Sequence, residues 1–147
     1  MKDQAVIIRQ LRESEISDLF RVWEKSSLPY KPTGRDTEAN ILEQMMMPTN
    51  RFFIAEVKNK IVGAVIASHN GRKGWINRLA VLPEYRKMGI AKALITHSES
   101  FFRDNKVEIF ACLIEDWNEY SMEFFQLNRY KKHNDIFYFT KRLNPGI

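Results

Sequence analysis

The sequence predicts a domain of the α+β (mixed α/β) class, in which four helices flank a central, mostly antiparallel sheet with one parallel strand pair. A chain of 147 residues, 44% hydrophobic and 12% aromatic, can bury one sizeable core. A strand–helix–strand crossover predicts the parallel pair, which we place at the centre of the sheet. We therefore expect a single domain over residues 5–143, followed by a frayed end at 144–147.

Hydrophobic periodicity and turn residues set the expected order of the elements. Apolar residues at helical spacing predict helices, β-prone runs predict strands, and prolines end the segments that precede them. Ser14, then Asp36 or Thr37, and finally Asp116 are the expected N-caps of three helices. The predicted elements are a strand at 6–9, a helix after 14, a loop at 26–35, a helix to about 47, strands at 52–57, 61–68 and 76–82, a helix from 89, a strand at 106–114, a helix from 116 and a strand at 136–142.

The most informative stretch is 79–94, where an apolar strand passes through a basic glycine turn into a helix with an apolar face. The first turn of such a helix has N–H groups without partners and lies at the positive end of the helix dipole. It is therefore typical of a phosphate or pyrophosphate site. Taken alone, so short a motif is more often an ordinary helix start with solvated basic residues. The residues of this turn are Arg86, Lys87, Met88, Gly89, Ile90 and Ala91.

Two motifs in the expected order carry a resemblance to a known family. The strand L-A-V, the turn L-P-E-Y and the run R-K-M-G-I-A, at 79–91, resemble the acetyl-CoA-binding motif of the GNAT N-acetyltransferase superfamily. After one intervening strand, the segment from Asn118 through Ser121 and Phe125 to Tyr130 resembles the N-x-x-A segment of that superfamily with its terminal G-F. The resemblance covers residues 5–143, so the chain is identified as a small, stand-alone, bacterial-type member with a GNAT-like fold.

The resemblance implies a reaction and roles for the residues that match the motifs. The reaction is acetyl transfer from acetyl-CoA to a primary amine by direct attack in a ternary complex. Backbone amides near Leu79 would hold the thioester carbonyl, and Val81 would pair with the pantetheine amides. The turn at 86–91 would hold the pyrophosphate. Asn118 would either bind the pantetheine or acetyl end or cap its helix, and Phe125 would pack beside the thioester.

Three departures from the family pattern leave a second function open. Asn77 stands near the position where many relatives have an acidic base, Phe125 stands where many have a tyrosine acid, and Arg129 replaces the glycine before Tyr130. These departures are compatible with a module that binds acyl-CoA but does not catalyse acetyl transfer. If the chain is an enzyme, we expect no single essential base.

Three groups are candidates to relay the proton of the amine. They are Glu56, Glu115 and a water ordered by Asn77, whose amide cannot itself take a proton. For Glu56, an ordinary solvent-facing strand glutamate is the competing interpretation, since charged residues are mostly exposed.

The acceptor side is implied by the same resemblance. In a GNAT-like fold the first two helices and their loop cover this side of the cleft, which makes Trp23, Tyr30 and residues 45–47 candidates to line it. Trp23 and the methionines are better explained as core residues on apolar helix faces. Tyr30, between two prolines, is expected to be exposed and functional. The acceptor, a small molecule or a peptide amine, is not identified by the sequence.

The composition argues against several other classes of function. The net charge of +5 comes from scattered residues, which favours attraction of a phosphate-bearing cosubstrate over nucleic-acid binding, the weaker interpretation. Cys112 is the one cysteine, and His69, His97 and His133 lack ligand spacing, so we expect no disulfide and no metal. The apolar run 61–67 is too short to cross a bilayer, and residues 1–4 lack the apolar segment of a signal peptide. We expect a cytoplasmic protein without membrane contact, with a homodimer left open.

Overall fold

A computed structural model describes residues 5–147, so the prediction about residues 1–4 lies outside the described part. Within this part, four α-helices flank a five-stranded sheet of order β1-β2-β3-β4-β5, which confirms the predicted fold class. Two short 3-10 segments, Glu13–Glu15 and Pro83–Tyr85, connect elements. The elements are β1 Val6–Gln10, α1 Ile16–Lys25, α2 Glu38–Met45, β2 Asn50–Val57, β3 Lys60–His69, β4 Gly74–Val81, α3 Ile90–Asp104, β5 Phe110–Ala111 and α4 Glu119–Leu127.

The sheet has the predicted mixture of pairings but not the predicted position of the parallel pair. Strands β1 to β4 pair antiparallel in chain order, and β4 pairs parallel with β5. The parallel pair lies at the edge of the sheet, because the strand expected at 136–142 is not a strand in this structure. The strand expected at 106–114 is reduced to Phe110–Ala111, since only these residues pair with β4, joined by one further bond from the Gly74 N–H to the Ile109 carbonyl at 2.8 Å.

The core lies between the sheet and the helices and depends on close approach at one glycine. β3 is buried over 61–67, the longest apolar run of the sequence. A Cβ atom on Gly63 would lie 3.2 Å from Ile90 and 3.3 Å from Leu94, so the missing side chain lets the start of α3 pack directly on β3. This contact fixes the N-terminus of α3 near the C-terminal end of β4.

Helix starts differ from the prediction where another side chain provides the cap. Thr37 caps α2, as one of the two predicted alternatives, through a 3.2 Å bond from the Asn40 N–H to its Oγ1. Asn118, rather than Asp116, caps α4, because its Oδ1 accepts the Ser121 N–H at 3.1 Å. Ser14 lies inside the first 3-10 segment and caps no helix, and α1 follows this segment.

The second helix also ends earlier than predicted. α2 ends at Met45, where a helix to about residue 47 was expected. Met46 is the C-cap, and Pro48 disfavours helical conformation only at Met47, the residue that precedes it. Among residues 5–147, no helix combines the length and the apolar character needed to span a membrane.

Candidate functional site

A gap between β4 and β5 is the central feature of the site. β4 continues to Val81, but it pairs with β5 only at Gly74 and Trp75, so the two strands separate beyond that point. Leu82 donates its N–H towards β3, to the Val62 carbonyl at 2.8 Å. Since successive backbone groups of a strand point in opposite directions, the backbone groups of Val81 face the gap. The gap therefore offers polar backbone groups to a ligand.

A β-bulge interrupts β4 just before this point. The pairing of β3 with β4 passes from Ile66 opposite Asn77 to Ala64 opposite Ala80, so Arg78 and Leu79 together face one residue of β3. Arg78 has a φ of 53°, in the left-handed region. A bulge of this kind bends the strand and releases backbone groups from the ladder. Leu79, expected from the sequence to present its amide to a carbonyl, lies within this bulge.

The Arg78 side chain links the bulge to the loop between α1 and α2. Its Nη2 donates to Oδ2 of Asp36 at 2.8 Å, and its guanidinium lies 4.7 Å from the ring centroid of Trp23. Asp36 is buried, and the same oxygen accepts the N–H of Lys31 at 2.7 Å. Sequence reasoning did not identify this pair, because its members lie 42 residues apart and neither belongs to a motif.

The turn at 86–91 has the geometry of an anion site. Gly89 is the N-cap of α3 with a φ of 79°, and Lys87 has a φ of 64°. The first intrahelical bond runs from the Ala93 N–H to the Gly89 carbonyl at 3.0 Å, so the N–H groups of the three preceding residues have no acceptor within the helix. A Cβ atom on Gly89 would meet no atom within 4 Å. The predicted helix start is thus confirmed, and the space beside the Gly89 α-carbon is open.

Arg86 connects this turn to the gap. Its Nε donates to the Val81 carbonyl at 3.1 Å. Arg86, Lys87 and Met88 are exposed, whereas Ile90 is buried and anchors the helix. The turn and the open end of β4 therefore lie side by side.

Asn118 and Phe125 each make a contact at one end of α4. Asn118 uses its side-chain oxygen as the helix cap, which leaves the amide NH₂ for another partner. Phe125 is buried and makes an edge-to-face contact with Tyr130, with ring centroids 5.1 Å apart. The Tyr130 hydroxyl donates to Glu99 at 2.6 Å, and burial together with this bond raises the pKa of Tyr130. Tyr130 is therefore held as a neutral donor.

The candidates for proton transfer are not brought together. Glu56 accepts a bond from Arg9 at 2.9 Å, and Arg9 also binds Glu15 at 2.8 Å. β2, which carries Glu56, is two strands away from β4, about 10 Å. Asn77, next to the bulge, and Glu115, between β5 and α4, are both exposed. Asn77 and Glu115 are free to reach a ligand, whereas Glu56 is held in an ion-pair cluster.

The two acceptor-side candidates differ in exposure. Trp23 is fully buried, so it is better described as a core residue than as one that lines the surface of the cleft. Tyr30, which was expected to be exposed, is instead half-buried, because it stacks on Phe20 with ring centroids 5.3 Å apart. A hydrogen bond to Glu24, with smaller effects of burial and charge, raises the pKa of Tyr30 to about 12. Met46 and Met47 are exposed beyond the end of α2.

Comparison with known proteins identifies the family. Residues 8–128 match the model of the Acetyltransferase (GNAT) family. The chain belongs to the GNAT acetyltransferase family. An acetyltransferase of Photorhabdus laumondii is 28% identical to it over 137 residues, which are 92% of this chain and 94% of the relative.

Solved structures of acetyltransferases have the same fold. An aminoglycoside acetyltransferase from an uncultured soil metagenomic sample, in complex with trehalose, superposes with a TM-score of 0.79 at 21% identity, covering 95% of this chain and 97% of that one. The PaiA N-acetyltransferase of Thermoplasma acidophilum, in complex with coenzyme A, gives a TM-score of 0.76 at 16% identity, over 84% and 88% of the two chains. The predicted family, fold and enzyme class, an acetyltransferase, are confirmed.

Proposed function

We propose that this GNAT family member transfers the acetyl group of acetyl-CoA to a primary amine by direct attack in a ternary complex. The observation that carries the proposal is the continuity of two features: the amides at the start of α3 and, beside them, the edge of β4 that pairs with no strand beyond Trp75. A long ligand with phosphates at one end and amides along its length fits this arrangement. GNAT-fold enzymes have been solved with coenzyme A or a CoA-based bisubstrate analogue bound.

Each part of the cosubstrate has a counterpart in the chain. The turn at 86–91 would hold the pyrophosphate through backbone N–H groups, with Arg86 and Lys87 supplying positive charge. Val81 would form strand-like hydrogen bonds with pantetheine amides in the gap. At the bulge, the backbone near Leu79 would donate to the thioester carbonyl, where negative charge develops during attack. The amide of Asn118 and the ring of Phe125 would border the acetyl end from α4.

The reaction needs little chemistry from side chains. The amine nitrogen forms a bond to the carbonyl carbon, the C–S bond breaks, and CoA leaves with the electron pair as a thiolate, which then gains a proton. The amine proton passes to water or to a nearby carboxylate. Because Glu56 is already bound to Arg9, we propose relay through water near Asn77, with Glu115 as the accessible carboxylate.

The acceptor side is proposed to be the region around Arg78 and Tyr30. Arg78 Nη1 is buried there without a hydrogen-bond partner among the described residues. A buried donor without a partner is costly, and an oxygen atom of a ligand would satisfy it. The carboxylate of Glu24, bound to the Tyr30 hydroxyl, is exposed and could attract a cationic amine. We therefore propose a small polar amine that carries oxygen atoms near its amino group.

A panel of amines tests this proposal. Acetyl-CoA is incubated with the protein and, in turn, an aminoglycoside, a polyamine, an amino sugar and peptides with a free N-terminus or lysine, and released thiol is measured. We expect thiol release that depends on one amine class, with the acetylated product found by mass spectrometry. Saturable CoA binding with no amine-dependent release over the whole panel would favour the binding module instead.

A further inference from the structure

Asp36 is the one charged residue among residues 5–147 that is buried, with 4% of its surface exposed. Its Oδ2 lies 2.8 Å from Arg78 Nη2, and only 15% of the Arg78 side chain is exposed. The other cation near this oxygen, Arg35, is exposed and has its Nε 4.0 Å away. A buried ion pair is weak evidence of stability, because the loss of water opposes the attraction between the charges. The pair is therefore better explained by the geometry that it fixes.

One end of the ion pair closes the loop between α1 and α2. The Asp36 N–H donates to the Lys31 carbonyl at 2.9 Å, and the Lys31 N–H donates to Asp36 Oδ2 at 2.7 Å. The closed loop 31–36 directly follows Tyr30 and directly precedes Thr37, the N-cap of α2. A movement of Asp36 therefore moves the backbone on the proposed acceptor side.

The other end of the ion pair lies in the bulge of β4. Arg78 has a φ of 53°, and a residue with a Cβ keeps a left-handed conformation only where its surroundings hold it. Its guanidinium is held by Asp36 and by the ring of Trp23, whose centroid is 4.7 Å away. Arg78 directly precedes Leu79, whose backbone is proposed to donate to the thioester carbonyl. The contacts of the Arg78 side chain therefore help to fix the direction of that backbone.

We propose that Asp36 is a positioning residue for acetyl transfer, which acts through Arg78 to hold the loop 31–36 and the bulge of β4 in one fixed relation. The inference rests on the proposed function, in which the amine approaches from the loop and the thioester lies at the bulge. Misplacement of two reactants by about 1 Å can cost about 100-fold in rate. Because one carboxylate oxygen binds both the loop and Arg78, a shift of either partner is transmitted to the other.

A difference between turnover and cosubstrate binding tests this role. In Asp36→Asn the amide oxygen still accepts the Lys31 N–H, while the bond from Arg78 loses its charge assistance and weakens. We expect kcat to fall at least about tenfold and the Kd of CoA to change less than about threefold, because the turn at 86–91 lies outside both ends of the pair. Unchanged kcat in folded Asp36→Asn overturns the proposal.

Glu15→Gln is the matched control. Glu15 also accepts an arginine, Arg9, at 2.8 Å and a backbone N–H, that of Arg12, at 2.9 Å, but Arg9 lies in β1, at the far edge of the sheet from the β4–β5 pair. This variant should lose stability and keep the kcat of the wild type. An equal loss of kcat in both variants shows that general destabilisation is the cause and overturns the positioning role.

A double variant tests whether Asp36 acts through Arg78. If it does, Asp36→Asn with Arg78→Gln has the same kcat as Arg78→Gln alone, because the contact that transmits the effect is already lost. Losses that multiply show that Asp36 acts independently of Arg78 and overturn the proposal. A wild type that binds CoA but acetylates no amine contradicts the proposed function instead.

Amide hydrogen exchange tests the connection without turnover. In the wild type, acetyl-CoA should slow exchange of the Lys31 and Asp36 amides, although they lie outside the proposed cosubstrate site. In the free protein, Arg78→Gln should speed exchange of the same amides at least about fivefold, and Glu15→Gln should leave them unchanged. Protection by acetyl-CoA that is confined to 79–91, or loop exchange unaffected by Arg78→Gln, overturns the proposal. The measurement on the free protein decides this even if no acceptor is found.

Discussion

Phe125 is fixed by the end of α4, independently of any ligand. α4 ends in a Schellman motif, in which the Tyr130 N–H binds the Phe125 carbonyl at 2.9 Å and the Arg129 N–H binds the Gln126 carbonyl at 3.0 Å. The contact between the Phe125 and Tyr130 rings is the hydrophobic contact that accompanies this motif. A phenylalanine here therefore has a packing role, whether or not it also borders the thioester.

This role predicts a small effect of adding a hydroxyl group at position 125. A thiol with a pKa of about 8.5 is a tolerable leaving group near neutral pH, so a general acid adds little. We expect Phe125→Tyr to change kcat by no more than about tenfold, a barrier change of about 1.4 kcal/mol. Tyr120, 69% exposed on the same helix, gives a control in Tyr120→Phe, which should leave kcat unchanged. Activity that is undetectable in the wild type but strong in Phe125→Tyr would favour the binding module.

Because the candidate carboxylates are not brought together, we predict that no single one is essential for activity. Glu56→Gln and Glu115→Gln should each retain measurable amine-dependent activity, within about tenfold of the wild type, because water can take the proton. Glu56→Gln also weakens the contact with Arg9, so its thermal stability is measured alongside. Complete loss of activity at every pH in either folded variant would contradict relay through water.

The contact between Glu15 and Arg9 should make the free energy of unfolding depend on pH. Hydrogen bonds from Arg9, opposed by burial, lower the pKa of Glu15 below its ordinary value of 4.5. The stability contributed by the ionised form is thus fully present above pH 4.5 and is lost as the pH falls through the folded-state pKa. Glu15→Gln should reduce the free energy of unfolding by about 1–2 kcal/mol at pH 7 and by less at pH 3.

The neighbouring Glu13 is the control for this experiment. It is exposed and has no ion pair within the described residues, so Glu13→Gln should leave the free energy of unfolding nearly unchanged at both pH values. Denaturant unfolding curves measure both variants. An equal loss at pH 7 and pH 3 in Glu15→Gln would show that the ionised carboxylate is not the source of the stability.

At the level of elements, Arg129 occupies a backbone position that suits glycine. Its φ is 75°, and it is the residue that follows the C-cap of α4. Left-handed conformation strains residues with a Cβ, which explains why the family pattern has a glycine there. We expect Arg129→Gly to raise the free energy of unfolding by about 0.5–1 kcal/mol.

A glycine introduced three residues earlier, inside α4, is expected to have the opposite effect. Gln126→Gly should lower the free energy of unfolding by about 1 kcal/mol, because glycine is a poor helix former at a position with ordinary helical geometry. Thermal or denaturant unfolding of both variants measures the difference. If Arg129→Gly is as destabilising as Gln126→Gly, the left-handed position is not a source of strain.

Elements with strong local patterns could be predicted from the sequence, and those that depend on distant partners could not. β2 and β3 have clear apolar runs and a tight turn, and their pairing follows from chain order. The segment 136–142 has an equally clear strand pattern, but a pattern gives the capacity to form a strand and not the identity of its partner. The strand predicted at 106–114 was too long for the same reason, since only Phe110 and Ala111 of that range pair with β4.

For the whole molecule, the proposed cofactor side of the site follows from the sequence more directly than the proposed acceptor side. The turn at 86–91 is built by local backbone geometry, which glycine and helix periodicity encode. The acceptor side depends on Arg78 meeting Asp36 across 42 residues at a bulge, and single-sequence patterns do not encode such a contact. The acceptor is therefore the least predictable part of the function.

The start of α3 is proposed to hold the phosphates of CoA. Two glycines with similar backbone geometry allow a matched test of this site. Gly89 and Gly71 have φ values of 79° and 85°, and a Cβ at either would meet no atom within 4 Å. Glutamate at either position therefore adds the same charge and similar backbone strain. Gly89 lies at the proposed phosphate site, whereas Gly71 lies in the turn between β3 and β4, at the opposite end of the sheet.

Calorimetric titration of CoA into the wild type, Gly89→Glu and Gly71→Glu is the most direct measurement. We predict equal affinity for the wild type and Gly71→Glu, and a loss of at least about 100-fold, or about 2.7 kcal/mol, for Gly89→Glu. The loss follows from bulk and like charge at the closest approach of the pyrophosphate. Equal CoA affinity of all three folded proteins would contradict the site.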